Sequence, residues 1–235
     1  MTVKTKRIWE LDALRGFCIL CMIASHAVFD LKTFGGVSLN MPGWFNFFRT
    51  YGHVFFVLIS GICATLASRS FRRGVVVFAA GLLVTASTVF LIYVLDFSES
   101  ILIVFGILHM LGVCMMVFPL FKRLPVWALI VLGVAFVVLG FWFDTLTVSV
   151  KFLFPFGLTF PGFFSGDYFP IFPGLGWYLL GAAIGRTAYK KKESLLPKVN
   201  ADFFLLRFLR FCGKHSLWFY LLHQPILTGL TLLIF

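Results

Sequence analysis

Seven stretches of nearly unbroken apolar sequence dominate the chain, each close to the ~20 residues that a helix needs to cross ~30 Å of hydrocarbon. They fall at approximately 12–31, 44–67, 74–95, 101–118, 124–143, 169–188 and 213–234. One soluble core cannot absorb so many such runs. With 60% hydrophobic and only 12% charged residues, and a mean hydropathy of +1.00, the chain has no polar surface left over for a soluble domain of any size. Strand-length alternation of polar and apolar residues is lacking, which excludes a transmembrane barrel. The expectation is an all-α, polytopic transmembrane helix bundle of about seven helices, forming one integral membrane domain over 1–235.

The basic residues orient this bundle. A cytoplasmic N-terminus places Lys4, Lys6, Arg7, Arg15, Arg69, Arg72, Arg73, Lys122, Arg123, Arg186, Lys190, Lys191, Lys192, Lys198, Arg207, Arg210 and Lys214 inside, and leaves Lys32, Arg49 and Lys151 outside. Seventeen of the twenty positive charges thus share one side, as the positive-inside rule requires of a multi-pass protein of the cell's inner (plasma) membrane. An odd number of spans then puts Phe235 on the far side. The net charge of +11 speaks to topology and to contact with anionic lipid, not to nucleic acid. The first span follows basic residues as a signal peptide would, but Asp12 and Arg15 interrupt its start and no small-x-small cleavage site follows, so it is expected to be retained.

Residues 7–30, RIWELDALRGFCILCMIASHAVFD, set ionisable groups into the first span. On a helix Arg15 and His26 return to nearly the same face about 16 Å apart, with Asp12 one turn before Arg15. Such groups inside lipid face a bundle interior or a wet cavity and mark a functional site. Their bland reading is a snorkelling cation with its surface counter-ion, and a histidine closing a helix-helix hydrogen bond. The shared face speaks against that reading, because boundary markers need no azimuthal alignment.

At 1.5 Å per residue, His53, His109 and His223 come near the bilayer centre and His26 in the outer third. Arg49 and His53 share a face of the second span, and Pro225, directly after His223 and Gln224, predicts a kink at the Leu221 carbonyl. The long connection 144–169, rich in Phe, Gly and Pro, reads as an outer lid. No metal site is expected. Cys18, Cys21, Cys63, Cys114 and Cys212 form an odd, intramembrane set without ligand spacing, which also argues against disulfides. A proton relay would need carboxylates beside the histidines, and midspan the sequence offers histidines alone. General-base catalysis needs an imidazole near neutral pKa and a route for substrate, and suits the pattern best.

RIWELDALRGFCILCMIASH resembles the opening helix of the family that contains the catalytic domain of heparan-alpha-glucosaminide N-acetyltransferase. FGILHMLGV, DYFPIFPGLGWYLLGAAIGR and FCGKHSLWFYLLHQPI resemble its other signature stretches, so the likeness spans essentially the whole chain. Arg15 and His26 also match the Arg, ten residues, His pattern of membrane acyltransferases acting on bacterial surface polysaccharides. The resemblance implies transfer of an acetyl or other acyl group, from acyl-CoA supplied in the cytoplasm, to a sugar amine or hydroxyl of a glycan or glycolipid beyond the membrane. It implies acetyl-CoA as co-substrate, with His26 at the catalytic histidine and Arg15 at the matching arginine.

On this reading Asp12, His53, His109 and His223 join the catalytic zone, and Arg69, Arg72, Arg73, Lys122 or Arg123 meet the CoA phosphates. Topogenic charge alone is the competing account of those cations. A transporter or flippase for a proton-coupled or lipid-linked substrate stands as the alternative, followed by a non-catalytic membrane interaction module. Association into a homo-oligomer stays open.

Overall fold

The computed structural model describes residues 7–234, so Lys4, Lys6 and Phe235 of the charge argument lie outside it. Among the described residues the regular structure is helical: α1 (Trp9–Thr33), α2 (Gly43–Leu66), α3 (Ser70–Leu95), α4 (Ile107–Phe121), α5 (Val126–Asp144), α6 (Ile171–Ala188), α7 (Phe204–Lys214) and α8 (Ser216–Ile234). Two 3₁₀ turns, Glu99–Ile101 and Lys151–Phe156, lie in the α3–α4 and α5–α6 connections. The chain divides into two compact units, one of the described residues up to Ile59 and from Tyr189 onward, the other Ser60–Ala188.

In the first unit α1 and α7–α8 run parallel. Gly16 meets Leu209 and Gly213, His26 meets His223, and Asp30 meets Gln224 and Thr228. The approach is closest at the glycines: a Cβ on Gly16 would lie 2.0 Å from the Leu209 carbonyl oxygen, and one on Gly213 only 1.8 Å from that of Asp12. Any side chain there would part the helices. The buried Glu10 carboxylate accepts hydrogen bonds from Ser194 Oγ (2.9 Å) and the Leu195 amide (2.7 Å), tying the basic linker to the start of α1.

The expected final span, 213–234, divides at its N-terminal end. Helix α7 ends at Lys214, His215 caps it with φ −107° and ψ 20°, and α8 begins at Ser216. Arg207, Arg210 and Lys214 make α7 too polar to cross lipid, while Phe204, Leu205, Phe208 and Phe211 are exposed and Cys212 and Gly213 are buried. It has the composition of an interfacial helix. Helix α8 is uninterrupted through Pro225. The non-helical backbone is found instead at Phe172 in α6 (φ −103°, ψ 127°), where Pro173 drives the preceding residue toward the extended region.

In the second unit α3 packs on α4, α5 on α6, and the end of α2 on α6, where a Cβ on Gly61 would lie 2.1 Å from the Tyr178 carbonyl oxygen. Five helices, α1, α2, α3, α5 and α8, are long and apolar enough to cross a membrane, whereas α4 and α6 fall short. The expected span 101–118 begins only at Ile107 because the preceding backbone is committed elsewhere. Val104 donates to Ser165 Oγ (3.1 Å), while the Leu102 and Phe105 carbonyls accept from the Gly166 and Phe169 amides (2.7 and 3.0 Å). These bonds pin the α5–α6 connection to the segment before α4.

Candidate active site

The polar stripe of α1 faces α7 and α8. Asp12, Arg15, Gly16, Ile19, His26 and Asp30 recur at helical spacing on one side, and Asp12 and Asp30 are about five turns apart on the same azimuth. The alignment read from the sequence therefore corresponds to a real packing face.

Its centre is an imidazole pair. The His26 and His223 rings meet edge to face with centroids 4.9 Å apart and planes at 74°. His26 Nδ1 lies 3.0 Å from the Met22 carbonyl oxygen, and His223 Nδ1 lies 2.6 Å from that of Tyr220. A carbonyl oxygen can only accept, so in both neutral rings the proton sits on Nδ1 and the lone pair on Nε2. His223 is 8% exposed, and its Nε2 finds no hydrogen-bond partner among the described residues. Two imidazoles thus present basic nitrogens, one of them buried with its lone pair unused.

The ring contact also puts the two histidines at one level, not at the separate depths expected from counting residues. The expectation starts the last span at 213, whereas α7 lies beside the first half of α1 and α8 beside the second.

One turn beyond His26 lies a residue that the sequence reading overlooked. Asp30 is fully buried, and its carboxylate accepts from Gln224 Nε2 (3.0 and 3.3 Å) and Thr228 Oγ1 (3.0 Å). Asp30 is thus a buried carboxylate near the end of α1, and midspan the described ionisable groups of the bundle remain histidines. Two signals could have found Asp30: the i, i+4 spacing from His26, and Gln224 with Thr228 at the same spacing on the partner helix.

The remaining candidates have different surroundings. Arg15 and Asp12 form their own ion pair at 3.7 Å, partly exposed, near the Gly16–Gly213 crossing. His53 is on α2 in the first unit, half-buried. His109 belongs to the second unit and has both ring nitrogens engaged: Nδ1 accepts from the Gly106 amide at 3.2 Å and Nε2 donates to Thr85 Oγ1 at 3.4 Å, with the ring stacked on Phe105. It caps the N-terminus of α4, and the structure brings it into no pair with another of the candidate histidines within its unit.

Of the five cations singled out, three line one cavity of about 450 Å³ in the second unit: Arg69, Arg72 and Lys122, with Ser68, Ser70, Phe71, Phe118 and Pro119. Arg73 and Arg123 do not line it. The cavity sits at the N-terminus of α3, whose N-cap Arg69 supplies no side-chain hydrogen bond, so amide donors and the helix dipole add to the three cations. Ser70 Oγ donates to the Met115 carbonyl at 2.7 Å and Arg186 to the Lys122 and Leu124 carbonyls, fixing both walls. Such a cleft suits an anion. No cluster of three or more metal-ligating side chains occurs among the described residues.

Apolar membrane-length helices, with a pair of imidazoles in contact between the first and the last, define a multi-pass membrane protein. The chain belongs to the heparan-alpha-glucosaminide N-acetyltransferase catalytic family, whose family model matches residues 7–225. The family is one of membrane acetyltransferases, and it makes this chain a transferase-type enzyme. No curated protein and no solved structure matches it significantly.

Proposed function

We propose that the protein transfers an acetyl group from cytoplasmic acetyl-CoA to a sugar amine or hydroxyl, of a glycan or glycolipid, on the outer side of the membrane. The observation that carries this is the His26–His223 pair, whose Nδ1 protons rest on helix carbonyls and whose Nε2 lone pairs are free to accept a proton. The acceptor's N–H or O–H proton passes to an imidazole Nε2 as its heteroatom bonds to the acyl carbon. The carbon–sulfur bond breaks, and the imidazolium returns the proton to the departing thiolate, giving free CoA. Arg69, Arg72 and Lys122 with the α3 N-terminus would hold the CoA phosphates. Arg15 would remain paired with Asp12 at the cytoplasmic end of the same helix face.

Replacing His26 by Ala should abolish acyl transfer while the purified protein stays folded in detergent; unchanged turnover would remove the pair from the mechanism. A proton-coupled transporter gains one supporting observation, the buried carboxylate of Asp30 beside the histidines. Acetyl-CoA binding separates the two readings, since a transporter has no reason to show it.

A further inference from the structure

The hydrogen bonds around Asp30 come from groups able to donate to a carboxylate. Gln224 has two amide hydrogens: one goes to Asp30 and the other to Thr228 Oγ1 at 3.2 Å. Thr228 then spends its only hydroxyl proton on Asp30 Oδ2. These donors run toward the carboxylate, and Gln224 Oε1 is left buried without a partner among the described residues. Yet Asp30 has no cation within ion-pair distance, since the ion pairs among the described residues are Asp12–Arg15 and Asp202–Arg210. It also lies in the last turn of α1, where the helix dipole disfavours a negative charge. A buried, uncompensated anion is costly unless a positive charge comes to it.

The nearest supply is the imidazole pair. His26 precedes Asp30 by one turn on the same face, and His223 adjoins Gln224, so a proton taken by either ring would place its charge beside this carboxylate. We infer that Asp30 is the counter-charge of the His26–His223 pair: a positioning residue that locks α8 against α1 and balances the imidazolium formed during proton transfer. The inference rests on the acyl-transfer reading and deepens it. The other titratable groups on the packed elements are Glu10, Asp12, Arg15, Cys18, Cys21 and Lys32 on α1, Arg49, Tyr51 and His53 on α2, Arg207, Arg210, Cys212 and Lys214 on α7, His215 at the junction and Tyr220 on α8; Lys32, two residues from Asp30, is exposed and forms no ion pair with it. Asp12 and Arg15 neutralise one another, more than ten residues from His26 along the same helix.

The test compares the full-length wild-type protein with D30N in detergent, both carrying 13C-labelled histidine. The His26 and His223 resonances are assigned by His26→Gln and His223→Gln and followed through pH titration. Asparagine keeps the shape and a hydrogen-bond acceptor but removes the charge, so the imidazole midpoints should fall by about one pH unit, a tenfold weaker hold on the proton. Thr228→Val, which deletes a hydrogen bond and keeps the charge, should move them by less than about a third of that. Equal midpoints in wild type and D30N, or imidazoles that stay neutral throughout in both, overturn the inference. If D30N fails to fold, Asp30→Glu carries the test, because a retained carboxylate must keep the midpoints near those of wild type and displaced ones overturn the inference. Acyl transfer surviving in His26→Ala would sink the underlying reading, whereas unchanged D30N midpoints with an inactive His26→Ala sink the counter-charge alone.

Discussion

Gly213→Ala is the most incisive single perturbation of this architecture, because it inserts one methyl group where α7 and α1 touch backbone to backbone. The new Cβ would lie 1.8 Å from the Asp12 carbonyl oxygen and 2.9 Å from the Gly16 amide nitrogen, whereas ordinary contact begins at 3.4 Å, so the helices must separate by about 1.6 Å. The obstructing atoms are backbone and cannot rotate aside. Overpacking of this kind costs about 1–3 kcal/mol, against a helix-propensity gain of at most about 1 kcal/mol, and the gain is small at the penultimate residue of α7. The net loss should lower the thermal unfolding midpoint in detergent, at about 2–4 °C per kcal/mol for a chain of this size.

The effect on chemistry should exceed the effect on stability. Helix α8 follows α7 after a single residue, so a shift at Gly213 is passed to His223, and a misplacement of about 1 Å is worth roughly 100-fold in rate. Gly229→Ala supplies the control on α8, since its Cβ meets nothing within 4 Å and the substitution should be neutral or slightly stabilising. The assays are thermal unfolding and acetyl transfer on the same preparations. A Gly213→Ala protein with the stability and turnover of wild type would refute the crossing and the register it imposes on the imidazole pair.

Removing the charges of Arg72 and Lys122 together should weaken acetyl-CoA binding by about tenfold or more while leaving the unfolding midpoint in place, as equilibrium binding at fixed salt would show. Tyr168, on the α5–α6 connection, donates to the Phe154 carbonyl at 2.6 Å, and burial first, then the Asp144 carboxylate, pushes its hydroxyl up to about 12. Its folded pKa stands above the ordinary value of 10, so the unfolded chain ionises first: the stabilisation is whole below pH 10, declines as pH rises to about 12, and Tyr168→Phe should flatten that decline in denaturation measured across the window.

Helix periodicity made the α1 stripe legible, since Asp12, Arg15 and His26 are aligned by spacing alone and that alignment became the face packed on α7 and α8. Three cations chosen from the α2–α3 and α4–α5 turns proved to share a cavity. Arg73 and Arg123, one residue further along, do not; for Arg73 the reason is that adjacent side chains on α3 point about 100° apart. His109 was grouped with the other histidines by depth, yet its ring is engaged at the N-terminus of α4. Depth carries no azimuth and no partner.

By itself the amino-acid sequence determined that the chain is all-helical and built for lipid, since apolar runs of that length have no other way to satisfy their backbone groups in hydrocarbon. It also determined which face of the first helix is polar. Only the tertiary structure decided that His26 meets His223, that Asp30 is buried under Gln224 and Thr228, and that the last span divides into α7 and α8. Those outcomes depend on which helix lies beside which and in what register. Both are set by contacts between residues almost 200 positions apart, Asp30 with Gln224 and Gly16 with Gly213, and no local pattern encodes them.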